Sequence, residues 1–124
     1  TQDELIEKAK ELIPAKERRA EMYIDSAEPA LIEGFYRAGF NAFGSKKDVN
    51  DGINFVKMHL LGVTKDSANI TKELNSYSWK KDKDGNVIDE PVKFNDHAMD
   101  AIRYGSYSHD NKYGKARNLN ISFR

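Results

Sequence analysis

The sequence predicts an α/β domain in which helices pack on a partly parallel sheet. Helical and strand-like segments alternate along the first half of the chain, and a helix joins the two strand-like runs. Strands joined through a helix usually lie parallel, because the connection must cross back over the sheet. The 124 residues are 39% hydrophobic and 32% charged, which is typical of a single folded domain and not of a disordered chain.

The first two elements are a helix and a strand. Residues 2–13 carry apolar side chains at helical spacing, and Pro14 stops the pattern. The run EMYID, residues 21–25, is short and apolar and reads as a buried strand that ends in an acid, Asp25.

A helix and a second strand follow. Residues 26–39 predict a helix with Ser26 as its N-cap, Pro29 in its first turn and Gly39 beyond its last turn. The run FNAFGS, residues 40–45, predicts the second strand.

The second half is mainly helical. One helix is predicted from a cap at Asp48 to Gly62, and another carries Ile70, Leu74 and Tyr77 on one side after a short extended piece. The next features are a hairpin or loop around Asp84-Gly85, a final helix over 94–107 and a flexible basic tail, residues 108–124.

Composition excludes several classes of function. The formal net charge of zero excludes a generally basic nucleic-acid coat protein, although it allows a local basic patch. The absence of cysteine excludes disulfides, zinc–thiolate sites and a cysteine nucleophile. No apolar run approaches the roughly 18 residues of a membrane span, and no secretory signal or Walker-type phosphate loop is present.

Asp25 is the first candidate for chemistry. It stands at the predicted carboxyl end of a strand, the edge at which ligands bind in open α/β sheets. Lys46 and Lys47 follow the second strand at the same predicted edge, where their charge would favour DNA phosphates. The alternative is structural, since an aspartate before a helix is often only a cap.

His97 and Asp100 are the second candidate pair, in the stretch NDHAMDAIRYG. Residues three apart share one face of a helix. Two divalent ions about 3.5–4 Å apart can activate water and stabilise the leaving oxygen in phosphodiester cleavage. Mg²⁺ prefers carboxylate oxygens and Mn²⁺ also accepts imidazole, so Asp25, His97 and Asp100 predict such a site. The alternative is a solvated helix face on which Asp100 pairs with Arg103.

Two stretches together resemble one family. YIDSAEPALIEGFYRAGFNAFGSKKDVNDGINFVKMHL and NDHAMDAIRYG are similar to the C-terminal nuclease domain of the large terminase subunit of tailed bacteriophages. The resemblance implies an RNase H-like fold, a mixed sheet flanked by helices, over residues 1–107. It also implies a metal-dependent endonuclease that cuts concatemeric viral DNA during packaging in the host cell cytoplasm.

The same resemblance implies particular residues and partners. Asp25 and Asp100 correspond to metal-binding acids, His97 to their neighbour and Lys47 to a basic position that faces DNA. The implied cofactors are two Mg²⁺ or Mn²⁺ ions. The implied partners are double-stranded DNA, the small terminase subunit and the portal of the procapsid, with no membrane.

The family pattern also includes a part that this sequence lacks. The family's first three strands form an antiparallel meander, and the first of them carries another catalytic aspartate. Asp3 lies in the first predicted helix and cannot replace it. The sequence therefore reads as a fragment with an exposed sheet edge. We expect it either to self-associate through that edge or to associate with the missing strands, and to show weak metal affinity and little cleavage.

Two other functions remain open. One is a catalytically silent module that binds DNA or the portal through Lys46, Lys47 and the basic tail. The other is a different RNase H-like nuclease, such as a junction resolvase.

Overall fold

The computed structural model describes residues 1–111 as five helices, one 3₁₀ turn and four strands. In chain order these are α1 Gln2–Leu12, the 3₁₀ turn Ala15–Glu17, β1 Glu21–Ile24, α2 Pro29–Arg37, β2 Asn41–Gly44, α3 Val49–Lys57, α4 Ala68–Ser76, β3 Trp79–Lys81, β4 Val87–Pro91 and α5 His97–Asp110. Over these residues, no helix combines the length and the apolar character that crossing a membrane requires.

The described chain divides into two compact units. The first unit contains Thr1–Lys47 and also residues 108–111, and the second unit is Asp48–Tyr107. The helix α5 begins in the second unit, and its last residues belong to the first.

A parallel strand pair organises the first unit. β1 and β2 lie side by side in a register that runs from Glu21 opposite Asn41 to Ile24 opposite Gly44, with α2 as the connection. The amide of Ser45 donates to the carbonyl of Ile24 at 2.8 Å and extends the ladder by one step. The carboxyl ends of both strands therefore lie at one edge of this sheet.

The core of the first unit lies between α1, α2 and this sheet. Its buried members are Ile6, Phe35, Phe40 and Ala42. The Phe35 and Phe40 rings meet edge to face with centroids 5.3 Å apart, a favoured aromatic geometry. The guanidinium of Arg18 lies over the Phe40 ring and donates to the carbonyl of Ile13, so it also covers the end of α1.

The second unit combines α3, α4, an antiparallel hairpin and most of α5. The hairpin turn is closed by Asp82, whose carboxylate accepts the amides of Asp84 and Asn86, while Gly85 adopts a φ of 85°. The side chain of Asn50 donates to the Asp89 carboxylate at 2.9 Å and ties α3 to β4.

An apolar pocket of about 250 Å³, partly open to solvent, lies in the second unit. Side chains from α3, α4, the hairpin and α5 line it, among them Val56, Leu74, Trp79 and Ile102. The apolar side chains of the second unit therefore gather around this pocket.

Most predicted elements are present, and several boundaries differ. Ser26 is not the N-cap of α2: the cap is Glu28, because a turn closed by its amide and the Asp25 carbonyl occupies residues 25–28. α3 ends at Lys57 rather than near Gly62. α5 runs three residues beyond Tyr107, and the rest of the predicted tail, 112–124, lies outside the described residues.

Candidate functional site

Asp25 directly follows β1 at the carboxyl edge of the parallel pair. Its Oδ1 accepts the amide of Ala27 at 2.9 Å, and its carbonyl accepts the amide of Glu28 at 2.9 Å. The first bond orients the carboxylate and the second closes the turn before α2, although Asp25 is not the N-cap residue of that helix. Its side chain keeps 37% of its surface exposed, so solutes can reach the carboxylate.

Lys47 lies with Asp25 at this edge. Its Nζ is 2.8 Å from Asp25 Oδ1, and its side chain is 42% exposed. The exposed residue Lys46 is held through its backbone instead, since its amide donates to the buried Oγ of Ser108 at 2.8 Å. The sequence predicted both lysines at this edge, and the ion pair of Lys47 with Asp25 is an additional finding.

Ser45 is a third polar group at the carboxyl edge, and the sequence analysis did not single it out. Ser45 directly follows Gly44, the last residue of β2, and Asp25 directly follows Ile24, the last residue of β1. Ile24 and Gly44 are partners in the strand register, so Ser45 and Asp25 leave the sheet at equivalent positions. Ser45 is 6% exposed, and its Oγ has no hydrogen-bond partner among the described residues. A buried hydroxyl beside a candidate carboxylate is a group that water or a ligand would satisfy.

His97 and Asp100 lie in the first turn of α5, in the second unit. His97 is exposed and Asp100 is partly buried, with the amide of Asp100 donating to the Asp96 carbonyl at 2.7 Å. Asp100 Oδ1 lies 3.2 Å from Nη2 of Arg103, whose side chain is 6% exposed. The ion pair that the sequence offered as the structural alternative for Asp100 is therefore formed.

The pKa of Tyr77 is sensitive to the charges of Asp100 and Arg103. Burial raises the pKa of the Tyr77 hydroxyl above its usual value of 10.0; the cation of Arg103 lowers it, and the carboxylate of Asp100 raises it. The phenol thus lies within the electrostatic range of the candidate acid and of its partner.

Glu73 is a further residue that the sequence analysis missed. Its Oε1 accepts the amides of Ala98 at 2.8 Å and Met99 at 3.1 Å. A carboxylate from α4 therefore satisfies the first turn of α5, where it also complements the positive end of the helix dipole. Because the two residues in each bond are at least 25 positions apart, no local sequence pattern signals this cap.

The donor chemistry fits a hydrated divalent ion. The candidates are divided over the units, with Asp25, Lys46 and Lys47 in the first and His97 and Asp100 in the second. Within residues 1–111, no three acidic or imidazole side chains gather as a ready-made metal cage. Mg²⁺ is commonly held by one or two carboxylates plus waters and substrate phosphates. The Asp25 carboxylate in the first unit, and the Asp100 carboxylate and His97 imidazole in the second, are each donors of a type that suits Mg²⁺ or Mn²⁺.

Comparison with solved structures confirms the predicted RNase H-like α/β fold. The g2p (large terminase) nuclease domain from the bacteriophage SPP1, solved with bound Mn, matches with a TM-score of 0.67 at 20% identity. The match covers 88% of this chain and 64% of that chain. The parallel and antiparallel strands here form two separate two-stranded sheets.

Sequence comparison agrees with the fold. The PBSX phage terminase large subunit of Bacillus subtilis (strain 168) is 28% identical over 108 residues, which cover 84% of this chain and 24% of that protein. The chain therefore spans about a quarter of the length of this curated relative. The family profile described as terminase RNase H-like domain matches residues 1–106, and the chain belongs to that family.

Proposed function

We propose that this chain is the metal-dependent DNA endonuclease domain of a phage packaging terminase, and that it cuts concatemeric viral DNA. The observation that carries the proposal is the position of Asp25, a fixed and solvent-accessible carboxylate at the carboxyl edge of a parallel strand pair. Ligands bind at this edge in open α/β sheets. Membership in the terminase RNase H-like family supports the same reaction.

In this proposal the carboxylates of Asp25 and Asp100 and the imidazole of His97 supply the metal ligands. Lys46 and Lys47 attract the DNA backbone, because a site made of acids would otherwise repel phosphates. The bound cofactor, two Mg²⁺ or Mn²⁺ ions, supplies an activated water and stabilises the leaving oxygen. The bond from Ala27 holds the Asp25 carboxylate in place, and the pair with Arg103 does the same for Asp100.

Nicking of supercoiled plasmid tests the proposal. In Mn²⁺ we expect slow nicking by the 124-residue chain and at least about a hundredfold slower nicking by Asp25→Asn and by Asp100→Asn. Asp110→Asn, an acid at the other end of α5, is the matched control and should nick at the parental rate. Equal nicking by the parental chain, Asp25→Asn and Asp100→Asn would show that the assigned site is wrong.

A second candidate function is a catalytically silent module that binds DNA or the portal. It is favoured by the ion pairs that Asp25 and Asp100 form with Lys47 and Arg103, since both acids then have structural partners. This function predicts no nicking above a metal-free blank, together with DNA binding that Asp25→Asn and Asp100→Asn leave intact. A gel-shift assay on the same variants separates the two functions.

The proposed partners are double-stranded DNA, the small terminase subunit and the portal of the procapsid, in the cytoplasm of the host cell. A second copy of the chain is a further proposed partner, because within residues 1–111 β1 pairs only with β2 and its other edge can accept a strand. Light scattering over a range of concentrations tests self-association, and a monodisperse monomer throughout would contradict it.

A further inference from the structure

The ammonium of Lys47 lies at the carboxylate that is proposed to bind metal. Nζ is 2.8 Å from Asp25 Oδ1, the oxygen that also accepts the Ala27 amide at 2.9 Å. Both side chains of the ion pair are partly exposed, at 42% and 37%. An ion arriving from solvent can therefore reach the carboxylate, and it meets a positive charge already held there.

The backbone before Lys47 is anchored, which distinguishes this pair from a chance surface contact. The amide of Ser45 donates to the Ile24 carbonyl, and the amide of Lys46 donates to Ser108 Oγ, each at 2.8 Å. Ser108 is 2% exposed, so this second bond is shielded from water. Two consecutive bonds thus fix the point from which the Lys47 side chain extends toward Asp25.

We propose that Lys47 is the built-in counter-ion of Asp25, that a divalent ion must displace its ammonium, and that Lys47 thereby sets the metal affinity of the site. The inference rests on the proposed function, in which Asp25 is a metal ligand. Two cations beside one carboxylate repel each other, so the ammonium leaves Oδ1 as the metal binds. The displaced ammonium then keeps its charge at the edge where DNA phosphates are to be bound.

The direction in which Lys47→Met changes the Mn²⁺ affinity distinguishes this role from a purely structural one. If Lys47 competes with the metal, Lys47→Met removes the competitor and Mn²⁺ binds more tightly. If Lys47 only orients the Asp25 carboxylate, the same change loosens the ligand and Mn²⁺ binds more weakly. We expect binding about twofold to fivefold tighter, the range for a partly exposed charge pair.

The experiment is a Mn²⁺ titration of the 124-residue chain, in which electron paramagnetic resonance measures free Mn²⁺ at constant ionic strength. Lys47→Met and Lys47→Gln are the test variants, and Lys16→Met is the matched control, because it removes the charge of an exposed lysine elsewhere in the first unit. Asp25→Asn tests the ligand itself. Circular dichroism confirms that each variant is folded, and no readout depends on cleavage.

The outcomes distinguish the counter-ion role of Lys47 from the role of Asp25 as a metal ligand. Tighter binding by both Lys47 variants, parental binding by Lys16→Met and weakened binding by Asp25→Asn support the proposal. Weakened binding by Asp25→Asn, with unchanged or weaker binding by the Lys47 variants, overturns the counter-ion role and leaves the metal site standing. An equal gain in affinity in Lys16→Met overturns the counter-ion role, because it shows that any lost lysine charge strengthens Mn²⁺ binding. Parental binding by Asp25→Asn overturns the assignment of Asp25 as a ligand, and the counter-ion role with it.

Discussion

The side chain of Arg103 crosses α3 at Gly52, so closely that a Cβ atom at position 52 would lie 2.6 Å from its Cγ and 2.8 Å from its Cδ. Arg103 is 5% exposed and cannot simply swing into solvent. We therefore expect Gly52→Ala to destabilise the protein by about 1–3 kcal/mol through overpacking, and to disturb the pair of Arg103 with Asp100. Urea unfolding measures the loss of stability.

Gly105 is the matched control for that substitution. It also lies in a helix, α5, but an added Cβ would meet nothing within 4 Å. Alanine has the higher helix propensity, so Gly105→Ala should stabilise the protein by up to about 1 kcal/mol. Opposite signs at the two glycines would confirm the close packing at Gly52, and equal signs would contradict it.

The cap supplied by Glu73 leads to a second prediction. Glu73→Ala leaves the amides of Ala98 and Met99 without their carboxylate acceptor and should destabilise the protein by about 1–2 kcal/mol. Glu73→Gln keeps an oxygen acceptor and should cost less. Hydrogen exchange at both amides should accelerate in the alanine variant. Glu90→Ala removes an exposed acid paired with Lys80 at 3.5 Å and should stay within about 0.5 kcal/mol of the parent.

Replacing the buried hydroxyl of Ser45 should stabilise the fold. Its Oγ has no partner among the described residues, so folding removes it from water without a compensating hydrogen bond. Ser45→Ala ends that penalty, and we expect a gain of about 1 kcal/mol in the free energy of unfolding. A lower melting temperature for Ser45→Ala would show instead that the hydroxyl is hydrogen-bonded in solution.

Alkaline pH should destabilise the protein partly through Tyr77. Burial, aided by Asp100, raises its pKa in the folded state above 10.0, although Arg103 opposes the shift. Above pH 10 the unfolded chain therefore loses this proton before the folded protein does, and the stability falls as the pH rises through the folded-state pKa.

Unfolding by urea at intervals between pH 8 and 11 measures the effect of Tyr77. Tyr77→Phe should make the alkaline loss of stability shallower, since phenylalanine has no proton to lose. Burial and the carboxylates of Asp48 and Asp51 raise the pKa of Tyr107 as well, so the variant with both tyrosines replaced should be shallower still. An unchanged slope in both variants would contradict the prediction.

Elements with local signals were predicted well from the sequence. The apolar spacing and Pro14 placed α1, and Asp84-Gly85 placed the hairpin turn, because both features depend on neighbouring residues. The N-cap of α2 was predicted wrongly at Ser26, because the carbonyl and carboxylate of Asp25 compete for the amides of that turn.

Contacts between distant segments could not be predicted. The caps that Glu73 makes and the passage of Arg103 across Gly52 join residues from different helices, and no short pattern encodes either. In the candidate site, the position of Asp25 at a strand end was predictable. Its pairing with Lys47 depends on the strand register, which the residue order alone does not specify.

The hydrogen bond from the Lys46 amide to Ser108 spans 62 positions of the chain, and the contact of His109 with Glu21 spans 88. Closing such large loops is entropically unfavourable and slows folding relative to local helix formation. On the ribosome, residues 48–107 emerge before Ser108, so Thr1–Lys47 can form its contacts with Ser108 and His109 only after that whole segment has been synthesised.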